Sequence, residues 1–202
     1  LKIYSGPKFL DDLLINEVYE TVESLYAARQ IDKFFFLRFT DEGGYHLRLR
    51  FHVTDQEFIG TIIVLINSRL DGYVASRIIS RITLDTYNRE LERYGHHAIE
   101  YIETIFSINS SMILDGLRKL NEEMKSEDRW QLALVLSDKL LDKFGFSLEA
   151  KYEISEYCYK FYQEEFKVSK QGKDKIQTKF RESRKKVEEC YANPEGFLIY
   201  KD

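Results

Sequence analysis

The chain has 202 residues, with 44% hydrophobic and 32% charged residues and a formal net charge of −4. That balance is ordinary for a folded globular protein, and the acidic excess argues against direct binding of nucleic acid. The length predicts one domain spanning 1–202 with room for a sizeable core.

Cys158 and Cys190 form neither a CxxC pair nor a ligand cluster. They do not read as a disulfide framework, which places the chain in a reducing, cytoplasmic compartment. No run of eighteen apolar residues and no signal peptide is visible, so no membrane span is expected.

Taken in order, LKIYSG at Leu1–Gly6 reads as a short strand punctuated by Gly6-Pro7. Leu10, Leu13, Leu14, Val18, Val22 and Leu25 recur at helical spacing and predict a helix over about Asp11–Arg29. Phe34–Phe39 and Tyr45–Val53 predict two strands joined by a turn in TDEGG, where paired glycines tolerate positive φ. In the second strand Leu47, Leu49 and Phe51 point one way, while His46, Arg48, Arg50 and His52 point the other. Arg38 shares its face with Phe34 and Phe36.

A helix is predicted over Gln56–Ser68, and one or two strands over Tyr73–Thr83. Helices are then predicted over Thr86–Phe106, Ser110–Lys125, Asp128–Phe144, Leu148–Phe166 and Lys173–Tyr191, with a mobile polar loop around Gln171. Strands before residue 85 and helices after it predict an α+β fold, a small and mostly antiparallel sheet packed with a helix-rich C-terminal part.

Arg48 and Arg50 lie two apart on a strand, so both guanidiniums reach one side. Burying either one unpaired is expensive. Two environments resolve this. One is a sheet surface whose arginines meet Glu side chains from a covering helix. The other is a pocket completed by a ligand carboxylate or phosphate held bidentately.

LDTYNRELERYGHH at Leu84–His97 reads as a helix start capped by Asp85 or Thr86. Arg89 and Arg93 then stack at i,i+4, His97 continues that line, and Glu90 is placed to pair with Arg93. Tyr87, Leu91 and Tyr94 supply a more apolar side. The five arginines on these elements are candidates for one anion-accepting pocket.

His46 and His52 read as hydrogen-bonded sheet residues, and the adjacent His96 and His97 are a poor chelating pair. No HExxH, GxGxxG or GxxxxGK[ST] occurs, so neither a metal nor a nucleotide cofactor is expected. RESRKK at Arg181–Lys186 is a phosphate-patch candidate, but Glu182, Glu188 and Glu189 offset it and favour a solvated helix face.

Three separated stretches carry a resemblance. These are LKIYSG, then IDKFFFLRFTDEGGYHLRLRF at Ile31–Phe51, then ITLDTYNRELERYGHHAIEYIETIFSINSSMIL at Ile82–Leu114. In that order they resemble the C-terminal domain of lantibiotic dehydratases, also called the thiopeptide-type bacteriocin biosynthesis domain. That family shows an FFxRY-D-P-x-x-HLRLRF hairpin, a TYxRExERYGG segment and an F-x-x-[DN]-S segment. The likeness continues more weakly through LALVLSDKLLDKFG at Leu132–Gly145.

The resemblance implies a lyase that eliminates glutamate from glutamylated Ser or Thr of a ribosomal precursor peptide, after a partner domain or protein has glutamylated it. A pyridine-forming relative of thiopeptide maturation and a non-catalytic peptide-binding module remain alternatives, and a homodimer stays open. By the resemblance, Arg48, Arg50, Arg89 and Arg93 are the catalytic arginines, and Arg38 matches the arginine of the first strand. Arg38, His97 and Tyr87 are substrate-binding candidates.

The sequence also departs from the family pattern. Asp41-Glu42 stands for the family's Asp-Pro, and Gly95-His96 for its Gly-Gly. An HMxxNR-like segment whose histidine is implicated in elimination has no counterpart before GFLIYKD. His46 and His97 are the local candidates to replace that base.

Overall fold

The computed structural model describes residues 1–123 and 129–194. Its contacts divide the chain into two compact units, Leu1–Arg118 and Lys119–Asp202.

The first unit begins with strand β1 (Lys2–Tyr4) and helix α1, whose start is set by Pro7 (Pro7–Leu13). A π-helical stretch over Leu14–Val18 runs straight into α2 (Tyr19–Ala27), so the expected first helix is present but starts earlier. The hairpin follows as β2 (Ile31–Asp41) and β3 (Gly44–Val53). Gly44 closes the turn at φ 103°, a conformation in which a Cβ would be strained.

Helix α3 (Phe58–Ala75) runs past the predicted end at Ser68, because Ile62, Ile66 and Leu70 continue one buried stripe. Of the strand residues expected over Tyr73–Thr83, only β4 (Arg81–Thr83) forms. By length and composition alone, α3 is apolar enough to cross a membrane, although Arg69 and Asp71 interrupt its apolar run. Its stripe nevertheless belongs to the core of this unit.

The sheet order is β2-β3-β1-β4, and every neighbouring pair is antiparallel. One face is the core. Ile3, Phe34, Leu47 and Leu49 pack there against Leu10, Leu13, Leu14, Val22, Leu25 and the α3 stripe. Each fully buried side chain of this kind contributes about 1.5–3 kcal/mol.

The segment predicted as a helix from Thr86 is different. Residues 84–90 carry no regular secondary structure, and helix α4 is a single turn (Leu91–Tyr94) that ends at Gly95, φ 76°. Helix α5 (Ile99–Glu123) then continues through the break expected between Phe106 and Ser110. Ser107 and Ser110 lie within it. Their hydroxyls accept from the backbone amides of Phe34 and Phe36 at 3.2 and 3.1 Å, so α5 covers part of the outer edge of β2.

The second unit contains α6 (Arg129–Lys143), α7 (Leu148–Glu165) and α8 (Lys170–Ala192). Ser147 and Ser169 cap α7 and α8 through their hydroxyls. The loop expected at Gln171 is therefore the first turn of α8. Lys151 ties α7 to Asp138 and Asp142 of α6. The predicted helix ends at Lys125 and Asp128 fall outside the described residues.

Candidate functional site

Register decides what the sheet shows on the face away from the core. Arg50 stands opposite Phe35, Arg48 opposite Leu37 and Lys2, and His46 opposite Phe39 and Tyr4. Tyr4 in turn faces Arg81, and Lys2 faces Thr83. Directly opposed residues share a face. This one therefore gathers Lys2, Arg48, Arg50 and Arg81 among aromatic rings.

Rings carry much of that charge. The guanidinium carbon of Arg48 lies 3.7 Å from the Phe39 ring centre, and that of Arg81 lies 4.1 Å from Tyr4. Such contacts attract through the ring quadrupole. Asp41 accepts a hydrogen bond from the Tyr4 hydroxyl at 3.1 Å, and Asp85 pairs with Lys2 at 2.8 Å. Lys2 is the main reason the Asp85 carboxyl is held below its ordinary pKa.

At the other end of the face, a cleft of about 190 Å³ is lined by Arg50, Tyr87, Arg89, Glu103, Lys33 and His52, with Phe35 and Glu100 also on its wall. Arg50 lies over the Tyr87 ring at 5.3 Å. Its Nε and Nη1 are buried and meet no acceptor among the described residues. Burial, and after it the Arg48 charge, lowers the Arg50 pKa. This guanidinium is a half-buried cation with two buried donors to spare.

Arg89 is the opposite case. It grips Glu103 with two hydrogen bonds, from Nε at 2.8 Å and Nη2 at 2.7 Å, and Nη2 also meets Glu100. Glu103 is buried, and the fork matches a carboxylate in plane. These bonds raise the Arg89 pKa, Glu103 first, and Arg89 in turn holds Glu100 below its ordinary value. Burial, and then the Glu103 carboxylate, pushes the Tyr87 phenol up to about 12. Tyr87 also meets Phe35 edge-on at 5.6 Å.

The cleft thus unites Arg50, Arg89 and Tyr87, with Arg48 on the adjoining sheet face. Other sequence candidates fall elsewhere. Arg93 is not stacked on Arg89, because Arg89 precedes the single turn of α4. Arg93 points to solvent with its side chain 70% exposed, and it pairs with Glu90 at 3.3 Å, the partner the sequence offered. Arg38 lies on the opposite sheet face and pairs with Asp11 of α1. His97 is exposed in the turn before α5, outside the cleft wall.

His46 is fully buried, with Nδ1 3.1 Å from the Gly44 carbonyl and Nε2 accepting from Arg48 Nε at 3.1 Å. With both nitrogens engaged, it positions Arg48 and offers no free base. Among the described residues, no group of three or more His, Cys, Asp or Glu is arranged to hold a metal.

Sequence reasoning missed Glu100 and Glu103 as the partners of Arg89. Their i,i+3 spacing on one helix was the available signal. It also missed Lys2 and Tyr4, although alternation about the buried Ile3 puts both on the arginine face.

Comparison with known proteins follows the same lines. The family described as Lantibiotic biosynthesis dehydratase C-term matches residues 1–198. The chain belongs to this family. Among solved structures, it is similar to the tRNA dependent lantibiotic dehydratase MibB from Microbispora sp. 107891, with 26% identity and a TM-score of 0.61 over 71% of the chain. It is also similar in fold to TsrL, with 17% identity and a TM-score of 0.63 over 92% of the chain. The match spans 14% of the MibB chain and 55% of the TsrL chain. No curated protein matches the chain. Family membership accords with the α+β architecture and with the hairpin and TYNRELERYG segments that form the cleft.

Proposed function

We propose that this lantibiotic dehydratase C-terminal domain eliminates glutamate from glutamylated Ser or Thr in a ribosomally made precursor peptide, leaving dehydroalanine or dehydrobutyrine. The observation that carries this reading is Arg50, a half-buried guanidinium with two buried donors that no described residue accepts. Elimination removes the α proton, places charge on the peptide carbonyl oxygen, and expels the glutamyl carboxylate. A fixed cation in a partly water-excluded cleft stabilises both anions as they form.

Arg48, held by His46 and Phe39, extends the cationic face toward the peptide. Arg89, clamped to Glu103, forms part of the cleft wall beside Tyr87. The substrate arrives from a glutamylating domain or protein, in the cytoplasm.

The peptide itself runs along the uncovered part of the β2 edge. Ser107 and Ser110 take the outward amides of Phe34 and Phe36. Arg38 and Thr40 continue that outward series by alternation, beyond these two serines. Backbone pairing there accepts varied peptides. Leu37 and Phe39, both nearly half exposed, flank the path on the arginine face.

The test is mass spectrometry of a glutamylated precursor peptide incubated with the protein. Loss of one glutamic acid per modified residue is expected. A peptide that stays glutamylated beside folded protein overturns the proposal.

A further inference from the structure

The proposed elimination needs a base for the α proton, and the four histidines differ sharply in what they offer. His46 is buried with both ring nitrogens engaged. His96 and His97 are exposed in the turn before α5 and are not part of the cleft wall. His52 is on that wall, two residues along β3 from Arg50 and therefore on the same sheet face.

His52 is also oriented. Its Nδ1 lies 2.5 Å from Asp32 Oδ1. A β-bulge between Ile31 and Lys33 makes this contact. Val53 pairs with Ile31 and His52 with Lys33, so Asp32 is the extra residue of β2. Bulges of this kind re-aim a side chain. With Nδ1–H donating to the carboxylate, Nε2 carries the lone pair, and it has no hydrogen-bond partner among the described residues. A carboxylate holding an imidazole in one tautomer is the arrangement of an oriented general base.

We infer that His52, positioned by Asp32, is the general base of this cleft, an assignment that rests on the elimination reading above. Nε2 takes the α proton of the glutamylated residue, and the Cα–H electron pair forms the Cα=Cβ bond. The Cβ–O bond breaks, and glutamate leaves as its carboxylate. The proton remains on the imidazolium, which Asp32 stabilises, until it returns to solvent. Arg50 lies on the same wall to meet the anionic oxygens. The charged groups facing His52 are Asp32, Lys33, Arg50, Arg89, Glu100 and Glu103.

The experiment uses the full-length protein and a synthetic glutamylated peptide, with and without deuterium at the α carbon. His52→Gln is expected to lower elimination by about 10²–10⁴-fold, the usual contribution of a positioned base. Its melting temperature should not change, since the side chain is 65% exposed. Asp32→Asn should lower the rate less and shift the rising limb of the pH–rate profile. In His52→Gln that limb should vanish and the deuterium isotope effect should grow. Added imidazole should restore part of the rate to His52→Ala.

A folded His52→Gln protein that eliminates at the wild-type rate, or with an unchanged pH limb, overturns the assignment while leaving the elimination reading intact. A wild-type protein that leaves the peptide glutamylated overturns both.

Discussion

Replacing Arg50 with Met separates a catalytic guanidinium from a structural one. Met keeps an unbranched apolar stem over the Tyr87 ring and deletes the charge. On the stability side, leaving a buried donor unsatisfied costs about 1–3 kcal/mol, and Arg50 has two such donors. The cation–ring contact at 5.3 Å returns about 0.5–1 kcal/mol. Arg50 is only partly enclosed, so water relieves some of the desolvation. The net expectation for Arg50→Met is a stability change from near zero to about +2 kcal/mol, where each 1 kcal/mol raises Tm by about 2–4 °C in a protein of this size.

Catalysis should move the other way. A lost donor at a developing negative charge costs about 3–4 kcal/mol, roughly a hundred- to thousandfold in rate. Arg50→Lys should fall between, because an ammonium supplies charge without the planar fork. Thermal melts and mass-spectrometric time courses with a glutamylated peptide measure the two quantities on the same samples. In the complete enzyme, glutamylated peptide should accumulate. An Arg50→Met protein that melts well below wild type yet eliminates normally would refute the reasoning and return the hairpin to an arginine-faced sheet.

Arg93→Ala should change both stability and elimination little, since an exposed i,i+3 pair is worth about 0–1 kcal/mol, whereas Arg89→Lys should impair elimination by losing the two-pronged hold on Glu103. Paired melts and rate measurements check this, and equal effects at both positions would contradict the geometry. Ser107→Ala should leave the buried Phe34 amide without its acceptor, costing about 1–3 kcal/mol and speeding hydrogen exchange at that amide. Tyr87, raised to about 12, favours the folded state while protonated. Its contribution is complete below the ordinary phenol value near 10 and is lost as pH rises from about 10 to 12. A tyrosinate absorbance titration against Tyr87→Phe should show one high-pH step missing from the variant.

The hairpin was legible because its signals agree. Strict alternation in HLRLRF divides arginines from leucines, and Gly44 fixes the turn, so both faces of β3 follow from the sequence. The Arg89–Arg93 pairing was not legible. LDTYNRELERYGHH has helical spacing, but Leu84 stays exposed and the segment buries no continuous stripe, so there is little to stabilise a helix. Gly95 then ends what forms, and Arg89 reaches Glu103 from the stretch before α4 that has no regular structure. Ser107 and Ser110 looked like a helix boundary from sequence, since serine favours caps. Their hydroxyls instead satisfy amides of another strand, a tertiary partnership that local spacing does not encode. The polar residues around Gln171 misled in the reverse direction, because they are the opening turn of α8, capped by Ser169.

The segment from residue 84 to residue 98 carries Tyr87 and Arg89 into the cleft with only one turn of helix to stiffen it. Its fastenings include the grip of Arg89 on Glu103 and Glu100, the pair of Asp85 with Lys2 and the packing of Tyr87 on Phe35. A strap of this build opens at a free energy below that of global unfolding, because few backbone hydrogen bonds must break. The cleft is assembled only in the closed fraction, and a ligand that needs Tyr87 or Arg89 in place binds with an apparent affinity reduced by that fraction. Glu103, with Glu100 beside it, holds Arg89 in the closed strap. Substitutions at Gly95 would tune occupancy of the cleft from outside it, and substitutions at Glu100 from its wall, without altering Arg50.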